Sequence, residues 1–310
     1  MKSFRHFTIV AIVATFVLIF VGGLVRVSGA GMGCPDWPTC FGRWIPPTDI
    51  SQLPPDIDPA QFNFALAWIE YVNRLIGMIV GIFIAITAIW VLLKHRKHPN
   101  IVIASSAAAI LVAYQGWQGS RMIASHLDPL LVSIHMGLAF IIVSLMIYVA
   151  LQSYYIEKGM SPVESSKYKK TRYWLGGLIF MSIYQIIQGT QVRTGLELAA
   201  EKYPLLQQSQ FFSHVGLVGN AHVITGVITA MLAWHVGAVI FKRYKSLSTL
   251  TTQITWSAII LAALLVIIGG VLIALGVPDI LQIFHLVLSS LFLGMLVLLW
   301  TALKYEGGTK

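Results

Sequence analysis

Eight apolar stretches recur along this chain, at 7–27, 65–93, 100–122, 130–153, 173–194, 213–241, 251–276 and 281–303. Each is close to the ~20 residues that carry a helix across ~30 Å of hydrocarbon. Backbone amides cannot stay unpaired in lipid, so runs of this length must be helices rather than open strands. The expected class is therefore all-α, a polytopic membrane protein with eight transmembrane helices. Composition agrees, with 57% of residues hydrophobic and 11% charged, against roughly a quarter charged in soluble domains. The first stretch follows Met1 to Arg5 and is read as a retained helix rather than a signal peptide, on its length and its Gly22-Gly23-Leu24-Val25-Arg26 ending; no transit peptide is visible.

A net charge of +9 invites a nucleic-acid reading, and the placement of the basic residues removes it. Fifteen of the 21 fall in segments on one side: Lys2, Arg5; Lys94, Arg96, Lys97; Lys158, Lys167, Lys169, Lys170, Arg172; Lys242, Arg243, Lys245; Lys304 and Lys310. The positive-inside rule makes these segments cytoplasmic, with both termini inside. The charge orients the chain among membrane lipids and needs no nucleic acid.

Arg26, Arg74, Arg121 and Arg193 break the pattern, lying within or at the outer ends of the expected helices. Either they snorkel to outer headgroups or they face inward and pair with carboxylates of a bound ligand, which guanidinium forks match at two points. Glu70 is the one acidic residue inside an expected span. An ionisable group there is costly and marks a functional candidate; the plainer reading is an ion pair with Arg74 or with another helix's arginine.

The two groups of four spans both start on the cytoplasmic side, as in a parallel internal repeat. Gly23-Leu24-Val25-Arg26 ending the first span resembles Gly189-Thr190-Gln191-Val192-Arg193 ending the fifth, and Glu70 to Gly77 lies over Gly219 to Gly226. Glycines near the outer ends of the odd spans (Gly22, Gly23, Gly119, Gly189, Gly269, Gly270) permit close approach of a neighbouring helix or of a flat ligand. His135, His222 and His285 lie about five to ten residues inside the outer ends of three different spans, and at ~1.5 Å per residue they share a level. Such histidines either bond between helices or ligate an iron. His222 and His285 in the second half offer two imidazoles, the six-coordinate arrangement of electron-transfer heme; in the first half the corresponding positions are Asn73 and His135. Cys34 and Cys40, the only cysteines, flank a short outer loop where an oxidising compartment favours a disulfide, structural or redox-active. The proline-rich stretch from Pro46 to Pro59 reads as an irregular lid.

Three motifs, Gly22-Gly23-Leu24-Val25-Arg26-Val27-Ser28-Gly29-Ala30-Gly31, Asp36-Trp37-Pro38 and Glu70-Tyr71-Val72-Asn73-Arg74-Leu75-Ile76-Gly77, resemble those of the heme A synthase family, and the resemblance runs over nearly the whole chain. It implies two pseudo-twofold-related four-helix bundles, 1–160 and 161–310. The C-terminal bundle would hold heme b as cofactor, with iron bound by His222 and His285. The N-terminal bundle would take heme O as substrate at His135 and oxidise the porphyrin C8 methyl to a formyl, with Glu70 as the essential glutamate. Arg26, Arg74, Arg121 and Arg193 would meet propionates. Cys34 and Cys40 resemble the first-loop pair of some bacterial members. Asn73 departs from the family's Glu-x-x-His. Expected partners are heme O synthase, cytochrome oxidase assembly factors and a membrane electron donor or acceptor, in the bacterial inner membrane. Competing readings are a non-enzymatic diheme b-type cytochrome and a multi-pass transporter with Gln115, Gln118, Gln185 and Gln188 lining its path.

Overall fold

A computed structural model describes residues 1–163, 166–207, 210–244 and 246–306, without the side chains of 166–169. Of the basic residues used for topology, Lys245 and Lys310, with the side chains of Lys167 and Lys169, lie outside this description.

The described residues are all-α, with α1 Lys2–Val27, α2 Phe64–Lys94, α3 Pro99–Ala124, α4 Pro129–Glu157, α5 Ser166–Lys202, the short α6 Phe211–His214, α7 Leu217–Arg243, α8 Thr249–Ala274 and α9 Asp279–Ala302. Their starts are written in side chains: the Asn63 carboxamide accepts from Leu66 N–H (3.1 Å), Asp128 from Leu130 and Leu131 N–H (3.0 and 3.1 Å) and Ser248 from Thr251 N–H (3.2 Å). Some hydroxyls inside the spans close on their own helix: Thr8, Thr15, Ser105 and Thr255 each donate to the carbonyl four residues back.

Among the described residues, seven helices are long and apolar enough to cross a membrane: α1 to α4 and α7 to α9. The chain is thus a multi-pass membrane protein. The expected span 173–194 is helical throughout but less apolar, because Gln185, Gln188 and Thr190 interrupt it; α5 also runs past that span at both ends. The expected span 213–241 begins later, at Leu217: Gly216 sits at φ 68°, a conformation glycine adopts without strain, and separates α6 from α7.

Helices α1 to α4 pack among themselves, α5 packs with α7 and α9, and α8 packs with α7 and α9; α4 and α1 also pack on α9, and α4 on α5. Interior apolar clusters follow this pattern. Ala11, Val80, Ile84, Ala108, Ile142 and Met146 knit the first four helices together, and Leu175, Leu178, Val236, Ile254 and Leu296 the later ones. A fully buried aliphatic side chain contributes roughly 1.5–3 kcal/mol in water. In lipid the helix contacts rest instead on close packing. The last described residues tie back to the start of α8, where Glu306 accepts from Ser248 N–H (3.0 Å), Ser248 Oγ and Thr251 Oγ1, and to α4, where Tyr305 donates to Gln152 (2.5 Å).

Candidate functional site

Cys34 and Cys40 are joined by a disulfide. The loop they close is pressed on the start of α2, where Cys34, Cys40, Phe41 and Ala67 form a small buried cluster. Gly33 makes the approach possible: a Cβ there would lie 2.3 Å from the Leu66 carbonyl oxygen. Asp36 rigidifies the loop from within, accepting from Phe41 N–H (2.5 Å), Gly42 N–H (3.0 Å) and the Thr39 hydroxyl.

Glu70, only 4% exposed, faces this loop. One carboxylate oxygen accepts the Cys34 N–H at 2.8 Å and the other accepts Arg74 Nε at 3.1 Å and Arg74 Nη2. Arg74 donates further to the carbonyls of Asp36 and Thr39 (both 2.8 Å) and Cys34 (3.4 Å). All five guanidinium N–H groups are thereby committed to Glu70 and the loop. The i,i+4 ion pair is present, and it reaches beyond α2 to clamp the disulfide loop.

Across the molecule, His222 on α7 and His285 on α9 face one another with ring centres 6.4 Å apart. They border a cavity of about 290 Å³ between α5, α7, α8 and α9, near the lower end of the ~300–1,000 Å³ typical of ligand pockets. Each imidazole lies against a glycine of a neighbouring helix: a Cβ at Gly189 would sit 3.5 Å from His222 Cε1, and one at Gly269 3.6 Å from His285 Cε1. Gln185 donates to the His222 carbonyl (3.3 Å) and to Thr225, whose hydroxyl donates to Gln188 (2.8 Å). The residues that lower the apolarity of α5 thus hold α7 beside the cavity. In the earlier helices Gln115 donates to the His135 carbonyl (2.9 Å) and Gln118 to the Leu131 carbonyl (3.2 Å). These four glutamines tie one helix to another, and Gln185 also borders the cavity.

Among the described residues, the buried Nδ1 atoms of His135, His222 and His285 and the buried Oδ1 of Asn73 have no hydrogen-bond partner. Asn73 lies by α1, 3.9 Å from where a Cβ on Gly22 would stand. Arg26 and Arg193 both border the cavity, although Arg26 comes from α1. Arg121 is exposed near the C-terminal end of α3 and joins none of these groups. Sequence reasoning missed Glu197, which bridges Arg26 and Arg193, and Gln282, which accepts from Arg193 (2.8 Å). The four-residue spacing from Arg193 to Glu197 was the available signal. No three His, Cys, Asp or Glu among the described residues converge on a bare metal ion.

A family model described as cytochrome oxidase assembly protein matches residues 5–297. Relatives named heme A synthase include one from Shouchella clausii, 27% identical over 66% of this chain and 64% of the relative's own length. Another, from Alkalihalophilus pseudofirmus, is 26% identical over 86% of this chain and 84% of the relative. A third, from Listeria welshimeri, is 22% identical over 94% of this chain and 93% of the relative.

Proposed function

The chain belongs to the family of cytochrome oxidase assembly proteins, and from that premise we propose that it is a heme A synthase, an oxidoreductase that converts the C8 methyl of heme O to a formyl. The observation that carries this reading is the facing pair His222 and His285. With metal–imidazole bonds of ~2.0–2.1 Å, two rings ligating one metal from opposite sides have centres about 6 Å apart; here they are 6.4 Å apart. Two protein ligands without a third suit an iron whose other positions are filled by a macrocycle. The orphaned imidazole nitrogens and the glycine faces beside the rings fit the same occupant.

In this reading α1 to α4 and α5, α7, α8 and α9 are two four-helix bundles related by a pseudo-twofold axis, α5 completing the set of eight spans, with both termini cytoplasmic in a bacterial inner membrane. His222 and His285 would hold heme b, which when bound would supply reversible one-electron transfer. Heme O docks in the first bundle at His135 beside Asn73. Asn73 and Glu70 are three apart on α2 and share a face, so a porphyrin edge near Asn73 presents its methyl toward Glu70. Glu70 accepts a proton or stabilises developing positive charge, held in place by Arg74 and the Cys34 amide. Its contact with Cys34 sets the carboxylate beside the disulfide, a route for electrons to an outside carrier. Arg26 and Arg193 are the propionate partners of the cofactor, Arg74 serves the loop clamp, and Arg121 is left for a propionate nearer the surface. Heme O synthase supplies the substrate, and cytochrome oxidase assembly consumes the product.

Co-expression with a heme O synthase, followed by purification and pigment extraction, tests the proposal. It expects heme A with heme B. Heme B alone would make the chain a diheme cytochrome, and a colourless protein would remove heme from the account.

A further inference from the structure

Where α5 runs on past its expected end, Glu197 places a single carboxylate between two cations of the cavity. Its Oε1 lies 2.8 Å from Arg193 Nε and 3.7 Å from Arg26 Nε. Arg193 is fixed, because its Nη1 donates to Gln282, which donates in turn to the Val277 carbonyl (2.9 Å) and to Asp279 (3.2 Å). Arg26 is less well served: its other contacts are the Met136 thioether sulfur at 3.5 Å, a weak acceptor, and the Thr194 hydroxyl at 3.4 Å. The guanidiniums border the cavity and their side chains are 21% and 22% exposed, while that of Glu197 is 44% exposed. Of the three charges, the carboxylate is the one that water can receive at least cost.

We propose that Glu197 competes with a porphyrin propionate: it pairs with Arg26 and Arg193, and a propionate that takes its place displaces it toward water. The proposal rests on the reading of the cavity as a heme site and adds its carboxylate recognition. Two guanidiniums and Glu197 carry a net charge of +1. An incoming carboxylate therefore competes with Glu197 for one pair of cations, and removing Glu197 leaves both for the ligand. One of those cations, Arg26, is delivered by α1, so the propionate end of the second cavity is completed by the first group of helices. Met136, whose sulfur Arg26 touches, follows His135 directly in the chain and also borders the cavity, so the same contact links the two proposed heme sites. A purely structural ion pair would differ in its consequences, because its loss would loosen the cavity for every porphyrin alike.

The test compares the full-length chain with Glu197→Gln, purified in detergent and depleted of heme. Each is titrated with hemin and with hemin dimethyl ester, whose carboxylates are masked, and transfer to apomyoglobin is timed. Glu197→Gln is expected to slow loss of hemin roughly three- to tenfold, less than one full charge-assisted hydrogen bond because water screens the half-exposed Glu197, and to leave the ester unchanged. It should also move the heme midpoint potential positive, since a nearby negative charge is gone. Arg193→Gln should act oppositely on hemin and again spare the ester. Weaker binding of both porphyrins to Glu197→Gln, or unchanged hemin loss, overturns the proposal. Failure of unmodified protein to take up either porphyrin with a bis-imidazole spectrum overturns the cavity reading itself.

Discussion

Replacing Glu70 with Gln keeps the shape of the side chain and removes its charge. In the structure both oxygens are used, one by the Cys34 amide and one twice by Arg74. A carboxamide has one oxygen, so its NH₂ must face either the Cys34 N–H or the guanidinium, donor against donor. A hydrogen bond to a charged group contributes about 1.5–3 kcal/mol, and breaking a buried ion pair outright costs roughly 3–5 kcal/mol. Arg74 keeps three loop carbonyls, which places the loss near the bottom of that range, at about 3 kcal/mol, or more than a hundredfold in the docking of the loop. That is too little to unfold eight packed helices. Glu70→Gln should therefore retain heme b and lose heme A, measured as the ratio of heme A to heme O extracted from membranes co-expressing heme O synthase. Arg74→Gln separates chemistry from clamping, since it frees the loop but leaves the carboxylate in place. If Glu70 acts on the substrate, Glu70→Gln is the more damaging of the two. A normal heme A yield from Glu70→Gln would refute the role given to this carboxylate.

Gly33→Ala forces a methyl to 2.3 Å from the Leu66 carbonyl; overpacking of about 1–3 kcal/mol should lift the loop off α2 and raise the rate at which a thiol reductant opens Cys34–Cys40, read by alkylation. Asn73→His should shift the spectrum of the protein bound to heme O toward bis-imidazole coordination, and an unchanged spectrum would mean that residue 73 does not border the iron. Glu306→Ala removes the acceptor for Ser248 and Thr251 and should lower thermal stability in detergent by roughly 1–3 kcal/mol without altering pigment content; an unchanged Tm would show that this C-terminal tie contributes nothing.

The helices were legible because lipid leaves apolar runs no other fold. Their ends were less so. Hydropathy reports only where hydrocarbon stops, whereas α5 continues as helix to Lys202, and Glu197 was overlooked for that reason. The Glu70–Arg74 pair was readable from its spacing and the disulfide from its compartment. Their joint engagement was not, because it depends on a contact between residues 34 and 70 that no periodicity encodes. Arg26 shows the same limit: its position in α1 gives its depth but not the neighbour it faces, and it borders a cavity built chiefly from the later helices.

Electron paramagnetic resonance of the oxidised, purified protein tests most directly whether His222 and His285 grip one iron. A low-spin bis-imidazole signal should be present in the unmodified chain and in His135→Ala, and absent from both His222→Ala and His285→Ala. Persistence of that signal in either of the last two would contradict the assignment.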